Sequence, residues 1–442
     1  MNQVVNQVVN QVVSKPIIGY AGMTHLGLVS ASAAAAHGFR TIAFDADAAL
    51  VSRLKRGELP VNEPGLPELI KRYQHELVFT SDGATLGECD VVYVAVDVPT
   101  DDHGQSDLTP IAAMIEYVRP QLAAKALLVI LSQVPPGFTR PLPVPADRLY
   151  YQVETLVFGR AVERAIKPER FIVGCADPRQ ALPPALQAFL ESFSCPILPM
   201  AYESAELAKI SINFCLVASI AVANTLAEVC ERVGADWSDI APALKLDKRI
   251  GQGAYLSPGL GIAGGNLERD LRTIVQIGEA KKTDVGVVKA WLANSAHRKD
   301  WTWQILWRVL QDHDLTANPD AKIAVLGLAY KENTHSTKNS PALALLEHLR
   351  GMSVKVHDPV VPAAVAPWTT SAADPLAAAT GADVLVIATP WPQYRELPPV
   401  ELARVMKGRT VLDPYRVLDG RACVAAGLTY HTLGMPPLAP AA

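Results

Sequence analysis

A chain of 442 residues exceeds what one hydrophobic core normally supports, so two or three domains are expected. Half of the residues are hydrophobic and only 19% are charged, which excludes a disordered chain. The formal net charge of −4 leaves no basic footprint for nucleic acid.

In chain order, Met1 precedes three copies of Asn-Gln-Val-Val at residues 2–13. This segment lacks the basic and long apolar regions of a secretory signal, so residues 1–14 are expected to be a disordered extension. From Lys15, short apolar runs alternate with amphipathic ones. Pro16–Ala21, Thr41–Phe44, Leu77–Thr80, Val91–Val96, Ala126–Leu131 and Phe171–Val173 read as strands, with helices including Leu28–His37 and Pro67–Gln74 between them. Such alternation indicates a parallel, doubly wound sheet. From Met200 to about Ala296 the pattern is nearly continuous helix. Strand-like runs then return at Ile323–Leu326, Val354–His357, Val384–Ala388 and Thr410–Leu412, with a helix at Ala342–Leu349. The fold class is therefore α/β, with two Rossmann-like β/α domains joined by a long central helix and a helical middle. The expected domains are 15–199, 200–316 and 317–442.

Residues 210–227 carry no charge and are long enough to span a membrane. Ser211, Asn213, Ser219, Asn224 and Thr225 interrupt the stretch, and Glu206, Lys209 and Glu228 flank it. It reads as a helix buried between domains or subunits, with no membrane anchor. The six cysteines show no metal-type spacing and mostly lie in apolar runs, as expected of free thiols in a reducing cytoplasm.

Three constellations carry chemistry. The first strand runs into Gly22-Met-Thr24-His-Leu-Gly27 and a small-residue helix, with Asp45 ending the second strand. Gly22 suits the tight turn and Gly27 suits close helix packing, whereas Thr24 stands where a glycine would let backbone approach a pyrophosphate. Asp45 can accept hydrogen bonds from an adenosine ribose, which favours NAD over NADP. A β/α turn without cofactor is the alternative. Next, Lys209 and Asn213 are four residues apart and share a helix face, so they can converge on an alkoxide or oxyanion. The competing reading pairs Lys209 with Glu206. Finally, residues 257–270 read Ser-Pro-Gly-Leu-Gly-Ile-Ala-Gly-Gly-Asn-Leu-Glu-Arg-Asp, where clustered glycines allow close passage of backbone past a ligand.

These segments, with Ser132-Gln-Val-Pro-Pro-Gly137, Tyr151-Gln-Val-Glu154, Ser204-Ala-Glu-Leu207, Arg249-Ile-Gly251 and Leu326-Gly-Leu-Ala-Tyr-Lys331, resemble the UDP-glucose/GDP-mannose dehydrogenase family over about residues 15 to 435. The resemblance implies an NAD-dependent dehydrogenase acting on a nucleotide-diphosphate sugar, as a homodimer built on the central helix. It implies catalytic roles for Lys209, Asn213, Asp270 and Glu154, with Asn266 at the position of the family's nucleophilic cysteine. Gly22, Thr24, Gly27, Asp45, Gln133 and Lys338 fall at cofactor positions. Arg249, Tyr255, Gly259, Gly261 and Lys331 fall at substrate positions, Arg249 reaching a neighbouring subunit.

The departures are chemical. An amide such as Asn266 has no thiolate form, so the family's thioester route to a carboxylic acid is closed. Val98, Gln133, Phe158, Glu268, Lys338 and Tyr415 also replace family residues. One expectation is therefore a dehydrogenase limited to alcohol–carbonyl chemistry. A second is a non-catalytic homologue that binds nucleotide or nucleotide sugar. A 6-phosphogluconate-type or hydroxyacid dehydrogenase is a third, opposed by the second β/α domain.

Overall fold

The computed structural model describes residues 15–441 except 100, 102–105, 263–265, 317, 319 and 320. The Asn-Gln-Val-Val extension and part of the glycine-rich loop lie outside the described residues. The rest divides into two compact units. The first ends at Lys209 and the second begins at Ile210, with Asp101 grouped with the second.

The first unit is built on an eight-stranded sheet: β1 (Ile18–Ala21), β2 (Thr41–Phe44), β3 (Leu77–Thr80), β4 (Val91–Val94), β5 (Leu127–Ile130), β6 (Leu149–Gln152), β7 (Phe171–Cys175) and β8 (Ile197–Ala201). Their order is β3-β2-β1-β4-β5-β6-β7-β8, parallel throughout except for the β6–β7 pair. Every residue of β1, β2, β4 and β5 is buried, because separate apolar clusters cover the two faces of the sheet. This is why these strands read as unbroken apolar runs. The order reverses at β1, whose neighbours are β2 and β4, and a doubly wound sheet opens a ligand crevice at such a point. The loops after β1, β2, β4, β5 and β6 all leave from the same edge.

The helix α1 (His25–Ala36) follows β1 after a three-residue turn, three residues earlier than its apolar run begins. Strands β6 and β8 are absent from the sequence reading. β6 is a four-residue Leu-Tyr-Tyr-Gln run behind a proline-rich loop, and β8 is a partly exposed strand containing Pro199. Neither carries the β-branched run that marks a buried strand.

The second unit contains a six-stranded sheet formed by β9 (Lys322–Leu326), β10 (Ser353–His357), β11 (Thr370–Ser371), β12 (Val384–Ile387), β13 (Thr410–Leu412) and β14 (Thr429–His431). It is wholly parallel, in the order β11-β10-β9-β12-β13-β14. The two-residue β11 and three-residue β14 at its edges are too short to show a period in sequence. Ahead of this sheet lie the long helix α2 (Tyr202–Val233), which crosses the boundary between units, and α3 (Asn266–Lys281). In the second unit, Val217, Ala223, Ala227 and Cys230 of α2 are buried, whereas Val222, Leu226, Val229 and Val233 are exposed at four-, three- and four-residue steps. Among the described residues, α2 is the one helix long and apolar enough to cross a membrane, and a third of its most apolar window is buried.

Two tests follow from this packing. A Cβ at Gly27 would lie 1.7 Å from the Gly22 carbonyl oxygen, so Gly27→Ala must push α1 off the β1 turn. Overpacking of this kind costs about 1–3 kcal/mol, which a lowered urea midpoint would register. The second concerns His431, whose pKa burial lowers to about 4, with Arg308 adding to the shift. The unfolded chain binds this proton from about pH 6.5 downward and the folded chain only near 4, so stability falls as pH drops through that window. The contribution is up to about 3 kcal/mol. Urea titrations at pH 7 and pH 5 should show a smaller loss in His431→Gln than in wild type.

Candidate active site

At the first turn, Gly22 adopts φ +101°, and the Met23 amide donates to Asp45 Oδ2 at 2.8 Å. The Asp47 amide donates to the other oxygen at 3.0 Å. Each carboxylate oxygen keeps a lone pair for a ribose hydroxyl. Gly22, Thr24, Gly27 and Asp45 are thus brought together at the carboxyl ends of β1 and β2. Gln133 stands half-buried just after β5, beside Ser132, whose hydroxyl accepts from the Val96 amide at 2.9 Å and donates to the Val96 carbonyl at 2.7 Å.

Thr24 is the N-cap of α1, but its side chain does not cap the helix. Its hydroxyl instead accepts from the Asp97 amide at 3.1 Å and reaches the Ala95 carbonyl at 3.3 Å. The cap comes from Asp97, three residues beyond β4, whose Oδ2 accepts from the His25 amide at 3.0 Å. Crowding around this carboxyl raises its pKa, and the Glu154 carboxylate adds to the rise, although the outer surface of the residue is exposed. Thr24, His25 and the Leu26 amide oppose it. The His25 ring stacks on Phe158 with centroids 4.1 Å apart and bonds Glu63 at 3.0 Å. Glu63 is buried and also accepts from the amides of Gly159 and Ala161. Asp97 is therefore a part of this site that motif reading passed over, and His25 and Glu63 fall within recognised segments without having been given a role. An acidic residue just past a buried strand was the available signal for Asp97.

Glu154 follows β6. One oxygen accepts from the Leu156 amide, and the other faces Lys209 Nζ at 3.4 Å, with both side chains mostly buried. Lys209 accordingly pairs with Glu154 and not with Glu206. The fully buried Glu206 instead accepts from the amides of Gly137 at 2.6 Å and Thr139 at 2.8 Å, tying the start of α2 to the Pro-Pro-Gly turn.

One turn along α2, in the second unit, Asn213 Nδ2 donates to Asp270 Oδ2 at 2.5 Å. Arg269 Nε donates to Asp270 Oδ1 at 3.2 Å, and all three residues are buried. The glycine-rich loop is held beside them. The Gly259 amide donates to Asn224 Oδ1 at 2.8 Å, and the Ile262 amide donates to Ser295 Oγ at 2.7 Å. Gly261 has φ +67° and abuts the Ser295 carbonyl, so no side chain fits there. Asn266 opens α3 as an exposed residue, and Glu268 accepts from Arg272 and from Asn339.

The other expected substrate residues, and Lys338 of the expected cofactor positions, make the following contacts. Arg249 is exposed and paired with Asp247, and Tyr255 is half exposed. Lys331 Nζ sits over the Tyr330 ring at 5.7 Å, while Lys338 Nζ donates to the Asp101 carbonyl at 2.9 Å. Four of the six cysteines are buried, and burial pushes the thiols of Cys89 and Cys423 up to about 12. Cys215, in contrast, is exposed on α2. Among the described residues no cluster of three or more His, Cys, Asp or Glu side chains is placed to hold a metal.

The first unit fits the adenosine half of a dinucleotide through Gly22, Gly27 and Asp45, while its α1 amides already hold a carboxylate. Comparison with known proteins agrees with the fold. Three models of the UDP-glucose/GDP-mannose dehydrogenase family match in order: the NAD binding domain at residues 17–193, the central domain at 203–295 and the UDP binding domain at 324–420. The chain is similar to the UDP-glucose 6-dehydrogenase TuaD of Bacillus subtilis (strain 168), at 29% identity over 440 residues, covering 95% of this chain and 93% of that protein. It is equally similar to a UDP-glucose 6-dehydrogenase of Pseudomonas aeruginosa, at 29% over 443 residues, with 94% and 96% covered. A solved UDP-glucose dehydrogenase from the hyperthermophilic archaeon Pyrobaculum islandicum superposes with a TM-score of 0.83 at 28% identity, covering 97% of this chain and 100% of that one. Matched across all three of its domains, the chain belongs to the UDP-glucose/GDP-mannose dehydrogenase family.

Proposed function

We propose that this protein binds NAD at the carboxyl ends of β1, β2 and β4 and oxidises a hydroxyl-bearing carbon of a nucleotide-diphosphate sugar by two electrons. The observation that carries this reading is the placing of two carboxylate-held polar groups one turn apart on α2: Lys209, ion-paired with Glu154, and Asn213, hydrogen-bonded to Asp270. Bound NAD supplies the acceptor for the hydride that leaves the carbinol carbon. Lys209 lends positive charge to the sugar oxygen as it becomes a carbonyl. Asn213, four residues further along the same helix and oriented by Asp270, donates an N–H to the sugar oxygen, and the hydroxyl proton leaves to solvent. Glu154 holds the Lys209 ammonium in place at 3.4 Å. The β/α domain at 317–442 takes the nucleotide diphosphate, with Lys331 and the loop glycines Gly259 and Gly261 near the sugar.

The reaction stops at the carbonyl in this reading. Asn266 offers no nucleophile, and burial raises the pKa of Cys89, Cys175, Cys195, Cys230 and Cys423, leaving those thiols protonated. Incubation with NAD and a panel of UDP- and GDP-sugars should yield one NADH per sugar consumed, read by absorbance. Asn266→Cys should move the stoichiometry towards two. An acid product made by wild type and unchanged in Asn266→Cys would contradict this account. One observation favours a second, non-catalytic reading: the Asp97 carboxylate at the α1 amides. Absence of both NADH formation and calorimetric NAD binding would select it.

We further infer a cytoplasmic homodimer. All six cysteines are free, which suits a reducing compartment. Val222, Leu226, Val229 and Val233 form a heptad-like apolar stripe on α2 that a second copy can cover. Light scattering should give twice the chain mass for wild type and a monomer, or aggregated material, for Val229→Glu.

A further inference from the structure

The geometry points to Asp97 as the residue that sets cofactor affinity: its carboxylate rests on the first-turn amides of α1, where a dinucleotide pyrophosphate would dock, and NAD must displace it to bind. This rests on the first unit being an NAD-binding domain. The first turn of a helix presents unsatisfied amide donors and the positive end of its dipole, and an anion of either origin satisfies them. Here the anion is internal. Asp97 Oδ2 accepts from the His25 amide at 3.0 Å, and Leu26 also contributes a backbone hydrogen bond. The neighbouring backbone is held in place, because the Asp97 amide is anchored on the Thr24 hydroxyl at 3.1 Å. Thr24, at the fingerprint's middle position, thus holds the strap that carries the competing carboxylate. A pyrophosphate entering this turn meets both an occupied donor set and a negative charge.

The groups facing Asp97 belong to several elements. Thr24 and His25 come from α1, the His25 ring being bonded to Glu63. Glu154, after β6, adds negative charge and is itself paired with Lys209 of α2. Protonation of Asp97 removes the repulsion and weakens its hold on the amides, so NAD affinity should rise as the pH falls.

Isothermal calorimetry on the full-length protein tests this with NAD, ADP-ribose and adenosine, the last lacking phosphate. Asp97→Asn keeps the shape and an acceptor oxygen but removes the charge. Asp97→Ser, checked with it by thermal melting, covers the case in which one variant folds poorly. Both should bind NAD and ADP-ribose at least about tenfold more tightly than wild type at pH 8 and leave adenosine unchanged. The wild-type dissociation constant should fall between pH 8 and pH 5.5, with a flatter profile in Asp97→Asn, which retains His25, Glu63, Glu154 and Lys209. Equal NAD affinity in wild type and both variants would overturn the proposal while leaving the cofactor reading intact. An equal gain for adenosine would also overturn it, as a general loosening of the site. No NAD binding by any of the three proteins would overturn both.

Discussion

Parallel strand pairing from β3 to β6 is the constraint on which the chemistry of the first unit depends. Parallel strands release their following loops at one edge. Gly22, Asp45, Asp97, Gln133 and Glu154 each lie within a few residues of the carboxyl end of a different strand, so register alone brings them to that edge. Full burial of β1, β2, β4 and β5 holds the register, since slipping one residue would exchange the faces that two separate cores cover. The second unit repeats the arrangement around β9. There Asp358 after β10 accepts from the Leu328 and Ala329 amides, as Asp45 accepts from Met23 in the first unit.

Carboxylates that accept backbone amides recur as fasteners. Asp45, Asp97, Glu63, Glu206 and Asp358 each bridge segments well separated in sequence. Such charge-assisted bonds are stronger than neutral ones, and removing one partner strands a donor or a charge. Four of these five hold turns or loops in place. Asp97 differs because its target is a set of amides that dinucleotide binding also requires. The same chemistry that orders a loop therefore competes with a ligand when it is aimed at a helix N-terminus.

Much of the scaffold was legible because it is governed by short-range rules. Strand runs such as Val91–Val94 and Val384–Ile387 are apolar at every position, and the glycines at 22 and 27 answer steric demands that few other residues meet. Strands β6, β8, β11 and β14 were not legible, being short, partly exposed or poor in β-branched residues, and held in place by their neighbours in the sheet. Among the site residues, Lys209 and Asn213 were found together by helical spacing, whereas their partners Glu154 and Asp270 lie 55 and 57 residues away. Spacing on one helix cannot select such partners.

By itself, the sequence determined an α/β chain with a dinucleotide-type turn, a central helix with an uncharged stretch at 210–227, and an asparagine where its family resemblance expects a thiol. Each rests on residue identity or on a period within a few residues, which the local backbone enforces. Tertiary structure alone decided that Lys209 pairs with Glu154, that Glu206 anchors the Pro-Pro-Gly turn, and that Asp97 lies on the amides of α1 72 residues earlier. Those outcomes depend on which strand ends the sheet brings side by side, a non-local result that no window of sequence contains.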